Sequence, residues 1–176
     1  MNPEFPRPHR LDQIGAGEVQ VHVAAEPGER AAIAKRFDLV AVDKLEARFA
    51  LRRDAAGIFA RGHLSAQVTQ SCAVTGEPLP AGIEEDFAIR FLPEPGESDE
   101  PDEVELAPED CDTVFYSGSA IDLGEAAAET LALALDPFPR SPAAAAVLKQ
   151  AGVLSEDELP PSGALAAALQ AKLGKR

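Results

Sequence analysis

Polar and apolar residues alternate along two long stretches of the chain, residues 45–52 and 58–69. Every second side chain of an extended strand points to the same face, so this period of two predicts β-strands that each turn one face toward a core. The turn-forming run Arg-Asp-Ala-Ala-Gly at 53–57 joins the two stretches, and the pair predicts a long antiparallel hairpin. Gly62 lies in the middle of the second stretch and predicts a bulge or bend there.

Shorter strand candidates flank this hairpin on both sides. Residues 18–23 alternate polar and apolar side chains before it, and residues 83–91 follow it after a turn at 74–78. A short apolar run at 114–116 is a further strand candidate. Curved antiparallel strands of this kind form either an open sheet or a partly closed barrel, and periodicity alone does not separate the two.

Three segments have the composition and spacing of helices. A short helix is predicted at 27–37, after the turn residues Pro-Gly. A second is predicted at 126–135, where Asp122 would cap the first backbone N–H groups and Glu125 would reach back in a capping box. A third, at 163–173, carries leucine at every fourth position. Strands and short helices together predict the α+β class, with a curved antiparallel sheet or a partly closed barrel.

The length of 176 residues and a hydrophobic content of 45% fit one folded core. We expect a single α+β domain over residues 1–140, followed over 141–176 by a linker and the short terminal helix. The leucine stripe of that helix would either fold back onto the domain or serve as a ligand for a partner's groove. No signal segment and no bilayer-spanning stretch is visible, so we expect a soluble, cytoplasmic protein without membrane association.

Acidic residues outnumber basic ones, and many of them lie in one segment. The formal net charge is −14, and residues 93–112 hold ten of the 30 acidic residues, four prolines and no basic residue. This composition predicts a flexible acidic loop, which would either only keep the protein soluble or dock a basic partner. The candidate docking residues are Glu97, Asp99, Glu100, Asp102, Glu103 and Glu105.

The negative charge also bears on nucleic-acid binding. It favours basic proteins over RNA as partners, because RNA binding requires lysine and arginine side chains that face the phosphates. The alternative is a local RNA-binding face, for which Arg48, Arg52, Arg53 and Arg61 are candidates, with Phe59 beside them. The same arginines also fit the solvated face of two strands, which is the more common role of such residues.

The sequence offers little support for enzymatic or metal-binding chemistry. The three histidines are isolated, and a G-x-G sequence at 15–17 lacks the rest of a phosphate-binding loop. Cys72 and Cys111 are too few for a disulfide framework and are not spaced as a metal knuckle. We therefore expect no catalytic residue, no metal ligand and no cofactor.

Several segments resemble motifs of the YceD family. Residues 70–79, Gln-Ser-Cys-Ala-Val-Thr-Gly-Glu-Pro-Leu, are similar to a family turn that reads roughly C-x-x-C-L-E-P. Residues 121–125, Ile-Asp-Leu-Gly-Glu, continued by 129–137, are similar to the family's I-D-L-x-E...L-x-L-x-x-P helix. The tail at 162–169 is similar to the ending common in the alphaproteobacterial branch. The residues that carry the two main motifs are Cys72, Gly76, Glu77, Pro78, Ile121, Asp122, Leu123, Glu125, Leu131 and Pro137.

The resemblance implies a role in the accumulation or processing of 23S ribosomal RNA and in large-subunit assembly, without enzymatic activity. It favours a ribosomal protein or a large-subunit precursor as partner, with an indirect association with the 23S RNA as one possibility; whether the RNA is contacted directly is left open. Many members have a second cysteine where this chain has Thr75. A zinc or redox role of such a pair does not transfer here, because one thiolate cannot hold a tetrahedral site. The oligomeric state is left open.

Overall fold

The computed structural model describes residues 3–55, 57–94 and 112–153. Within these ranges the chain has mixed helix and strand content, which confirms the predicted α+β class. The strands are β1 (Pro8–Arg10), β2 (Val19–Ala24), β3 (Ala41–Asp54), β4 (Gly57–Ser71), β5 (Pro78–Pro93), β6 (Asp112–Tyr116) and β7 (Ala120–Asp122), and the helices are α1 (Pro27–Arg36), α2 (Leu123–Ala134) and α3 (Ala144–Gln150).

The chain divides into two compact units. The larger unit comprises the residues up to Ser71 together with Pro78–Pro137, and the smaller unit comprises Cys72–Glu77 together with the residues from Phe138 onward. Helix α3 lies within the segment predicted as a linker. The helix predicted at 163–173 lies outside the described residues, and the predicted domain boundary after residue 140 stays a prediction.

Five strands of the larger unit form one sheet in the order β2-β3-β4-β5-β6. The first four pair antiparallel, as predicted, whereas β5 and β6 pair parallel. Parallel neighbours need a long crossover connection, which residues 94–111 provide. Among the described strands, β2 and β6 are the two edges of this sheet, so it is an open sheet and does not close into a barrel.

A second, two-stranded sheet pairs β1 with β7. Neither strand was predicted. Each has only three residues, too few for alternation to show, and their partners lie more than a hundred positions apart in the sequence. This pairing holds the start of the chain against the segment that leads into α2.

One face of the five-stranded sheet forms the core of the larger unit. The alternating residues Leu45, Ala47, Phe49 and Leu51 of β3 are buried, as their period predicts. They belong to one cluster with Ile33 of α1 and Leu131 of α2. The hydrophobic effect acting on this face therefore holds both helices to the sheet.

Gly62 leaves room for two aromatic rings in this core. It lies opposite Phe49 on β3 and opposite Phe87 on β5, and the two rings meet edge to face with their centroids 5.0 Å apart. A Cβ at Gly62 would overlap the Phe87 ring and the carbonyl oxygen of Arg48. The bulge predicted at Gly62 is wrong: both of its ladders run without a register shift there, and the irregularity of β3 lies between Val42 and Lys44.

Candidate partner-binding surface

Asp122 caps the N-terminus of α2, as predicted. Its Oδ1 atom accepts the backbone N–H groups of Gly124 at 2.9 Å and Glu125 at 3.1 Å, which would otherwise be unpaired at the start of the helix. The same oxygen accepts the backbone N–H of Arg7 at 2.9 Å. One side chain therefore both starts the helix and fixes the N-terminal segment to it.

Glu125 does not complete the predicted capping box. Its carboxylate accepts two hydrogen bonds from the guanidinium of Arg36 on α1, at 2.7 and 3.0 Å, and Glu4 contacts the same guanidinium at 3.0 Å. A paired guanidinium binds a carboxylate more strongly than a single neutral N–H does. Hydrogen bonding with Glu125, aided by Glu4, raises the pKa of Arg36 above its ordinary value.

The other residues of the helix motif also have structural roles. Ile121, Leu123 and Leu131 are buried in the core of the larger unit. Pro137 follows the end of α2, whereas Pro78, which belongs to the turn motif, begins β5. The helix motif therefore specifies how α2 starts, packs and stops.

The turn motif with Cys72, Gly76 and Glu77 lies in the smaller unit. Gly76 has a positive φ of 72°, which glycine adopts without steric cost. The Sγ atom of Cys72 accepts the backbone N–H groups of Ser141 at 3.2 Å and Thr75 at 3.4 Å. Hydrogen bonding from Thr75, followed by that from Ser141, lowers the pKa of Cys72 to about 6. Among the described side chains, no group of three His, Cys, Asp or Glu residues is placed to hold a metal ion.

The face of the five-stranded sheet that points away from the core is called the outer face here. The four arginines considered for RNA binding do not all lie on it. Arg53 alternates away from this face and donates a hydrogen bond to the Leu11 carbonyl at 2.9 Å. Arg61 is paired with Glu18 at 3.0 Å, and Arg52 stacks on the Phe59 ring.

Carboxylates are interleaved with the cations of this outer face. Arg48 lines a shallow cleft of about 440 Å³ that Glu18 and Asp86 also line. Lys44 pairs with Glu46 at 2.7 Å. The face is therefore mixed in charge.

His63 lies between two carboxylates on this outer face. Its Nδ1 atom is 2.7 Å from Asp86 Oδ1, and its Nε2 atom is 2.8 Å from Glu84 Oε2. Both ring nitrogens can donate only when the imidazole is protonated, so the arrangement favours the imidazolium form. Hydrogen bonding first with Asp86 and then with Glu84 raises the pKa of His63.

We expect the His63 contacts to stabilise the fold in a pH-dependent way. Because the pKa is raised in the folded state, the stabilisation is fully present below the pKa of the unfolded chain and is lost as pH rises through the folded value. An NMR titration should show His63 titrating above the ordinary value of about 6.5, and Asp86→Asn should move it back. Equal titration midpoints in the wild type and the variant would contradict the contact.

Two depressions of about 290 and 270 Å³ lie between α2 and strands β5 and β6, lined by successive turns of the same side of α2. We call the two together the acidic groove. Its described lining contains no lysine or arginine, and its acidic residues are Glu85, Asp86, Asp112, Asp122, Glu125 and Glu129.

The carboxylates of the acidic groove differ in whether cations or N–H groups of the protein already bind them. Three of them already have partners. Asp122 accepts N–H groups at the start of α2, Glu125 binds Arg36, and Asp86 binds His63. Partial desolvation raises the pKa of Glu129, repulsion from Glu125 adds to that increase, and attraction to Arg36 opposes part of it. A cation brought to the groove from outside would therefore stabilise the Glu129 anion.

Two large apolar side chains of the acidic groove are exposed. Phe115 of β6 is 55% exposed and Leu133 of α2 is 77% exposed. Sequence reasoning missed this surface because it depends on where β6 pairs. The available signal was the four-residue spacing of Glu125, Glu129 and Leu133, which places them along one side of a helix.

The predicted acidic loop joins β5 to β6, and Asp112 at its end lines the acidic groove. The docking candidates themselves lie outside the described residues: Glu97, Asp99, Glu100, Asp102, Glu103 and Glu105. In the described part of the chain, no helix has the length and apolar character needed to cross a bilayer.

Comparison with protein families shows which family the chain is similar to. Residues 60–163 match the family described as "Large ribosomal RNA subunit accumulation protein YceD". Searches of curated proteins and of solved structures gave no match. The matched range covers more than half of the chain and contains both motifs that carried the resemblance. The chain therefore belongs to the YceD family, which is involved in the accumulation of large-subunit ribosomal RNA.

Proposed function

We propose that this chain is a non-enzymatic accessory factor in the cytoplasm that supports 23S ribosomal RNA accumulation and large-subunit assembly by binding a basic protein. The partner is a ribosomal protein or a precursor particle that presents one. The observation that carries the proposal is the acidic groove, whose described lining contains six acidic residues and neither lysine nor arginine. Residues 93–112, which join β5 to β6, hold ten acidic residues, and nine of these are additional because Asp112 belongs to both sets.

Electrostatics explains why such a surface would select a basic protein. Concentrated negative charge speeds the encounter with a basic partner and repels phosphate backbones. Exposed apolar side chains within the charged rim then provide contact area that solvent-exposed charges alone do not. Both features are present at the acidic groove, through Phe115 and Leu133.

The alternative is direct RNA binding through the outer face of the sheet. One observation favours it: Phe59 lies beneath the guanidinium groups of both Arg52 and Arg90, at 5.1 and 5.4 Å from its centroid. Against it, Arg90 is paired with Asp54 at 3.1 Å, and the other cations of this face are interleaved with carboxylates. Titration of purified chain with 23S fragments at two salt concentrations tests it, since phosphate contacts weaken steeply with salt.

The acidic loop between β5 and β6 is called the acidic connection from here on. Neutralising its charge is expected to abolish function in cells. The variant replaces the eight acidic residues of 95–111 with asparagine and glutamine. In a strain that lacks the gene, we expect the wild-type chain to restore mature 23S RNA and the neutral variant to fail, because steering and binding of a basic partner are both lost. Northern blotting of 23S RNA and co-sedimentation with large-subunit precursors measure the two effects.

A shuffled version of 95–111 with the same composition is the matched control, and it should retain activity if charge is what matters. Restoration of 23S RNA by the neutral variant at the wild-type level would contradict a role for this charge. Absence of the wild-type chain from large-subunit precursors would contradict the proposed function itself.

A further inference from the structure

We infer that the acidic groove is the docking site for a short basic segment of a protein partner, with one bulky apolar side chain over Leu133 and a lysine or arginine beside Glu129. This inference rests on the proposed function for the existence of a basic partner. It adds the surface that the partner occupies and the kind of segment that fits.

The length of the groove limits the size of the segment. It follows α2 from Asp122 to Leu133, which at about 1.5 Å per residue corresponds to roughly 16 Å. An extended segment of about five residues, or about three turns of a helix, spans this length. A segment of this length can present about one apolar side chain and one or two cations to a single surface.

Charge separates this occupant from three others. The acidic connection of the same chain has eight acidic residues and no basic one at 95–111, so it would be repelled. A second copy docked through a twofold axis would place the same acidic surface against itself. RNA would bring phosphates to a surface whose described lining contains no lysine or arginine.

The state of Glu129 supports a cation at this position. No ion pair within 4.0 Å joins Glu129 to another described residue, and the neighbouring Glu125 is already held by Arg36 at 2.7 Å. A lysine or arginine beside Glu129 would offset both its partial desolvation and its repulsion from Glu125.

Peptide binding to the full chain tests the inference. The probe is a labelled 12-residue peptide of lysine and serine with one central leucine, and the reference peptide has serine in place of the leucine. We expect Leu133→Ser and Glu129→Gln each to weaken binding of the leucine peptide about tenfold, as interface hot spots do. Fluorescence anisotropy measures the affinities.

Two matched variants control for general effects of surface change. Val40→Ser replaces an apolar residue that is 55% exposed and does not line the acidic groove. Asp43→Asn replaces an exposed carboxylate of β3, also away from the groove. Both should bind the leucine peptide as the wild type does. Thermal unfolding should show all four variants folded, because each replaced side chain is exposed.

Three outcomes would overturn the inference. Unchanged affinity in both groove variants, with loss of binding in the neutral 95–111 variant, would place the partner on the acidic connection and leave the proposed function intact. Equal affinity for the leucine and serine peptides would show that no apolar side chain of the peptide contributes to binding. If deletion of residues 154–176 increased the affinity of the chain for the leucine peptide, the chain's own terminal segment would be the ligand that occupies the groove. Failure of the proposed function is a different result, seen only in the sedimentation and 23S measurements.

Discussion

Replacing Gly124 with alanine should destabilise the protein by about 3 kcal/mol or more, since backbone overlap in a packed site adds strain to lost contacts. Gly124 lies in the first turn of α2, and a Cβ there would overlap the carbonyl oxygen of Phe5. Phe5 is buried, so its segment cannot move away without exposing the ring. The same movement would pull the Arg7 N–H from Asp122.

The matched control is Gly28→Ala. Gly28 is also the second residue of its helix, α1, but a Cβ there meets no other atom within 4 Å. Alanine at this position should stabilise by about 0.5–1 kcal/mol, because it restricts the unfolded chain and favours helix. Urea unfolding of both variants measures the difference. Similar midpoints for the two would contradict the close packing of the N-terminal segment on α2.

Phe49→Ala is expected to cost about 3–5 kcal/mol, the usual range for removing a fully buried phenylalanine. Phe49 is fully buried, and its ring packs edge to face on Phe87 across Gly62. The change removes apolar contacts, breaks the aromatic pair and leaves a cavity above a residue with no side chain to fill it.

Phe115→Ala is the comparison for Phe49→Ala. The Phe115 side chain is 55% exposed, so its removal should change the free energy of unfolding by no more than about 0.5 kcal/mol. Chemical denaturation gives both values. A similar loss in the two variants would mean that the ring of Phe49 does not lie in the core.

Short-range patterns predicted much of this fold. The burial of Phe49 and Leu51 follows from alternation, and the cap at Asp122 follows from a polar residue placed just before an apolar helix. Such features depend on neighbours a few positions away. They can therefore be predicted from a single sequence.

Pairings between distant segments could not be predicted. Glu125 binds Arg36 and not a backbone N–H group of its own helix, and this depends on how α1 packs against α2. The parallel pairing of β6 depends on a crossover whose length is visible in the sequence but whose direction is not. Because the acidic groove is formed by α2 and these strands, its position became visible only with their packing.

The residues of the helix motif stretch can now be separated by role. Asp122 and Glu125 hold the N-terminal segment, α1 and α2 together, whereas Glu129 and Leu133 of the same stretch are exposed at the acidic groove. The stretch that identifies the family therefore carries both the packing of α2 and part of the surface proposed for a partner.

The parallel pairing of β5 with β6 also fixes both ends of the acidic connection to neighbouring strands. The eight acidic residues between 95 and 111 are thus joined at both ends to strands that line the groove, and a short tether keeps a ligand site at an effective concentration on the order of millimolar. A basic partner held by the groove would meet these charges without a second diffusional encounter. Weak contacts at two places could then combine into avidity that neither contact has alone.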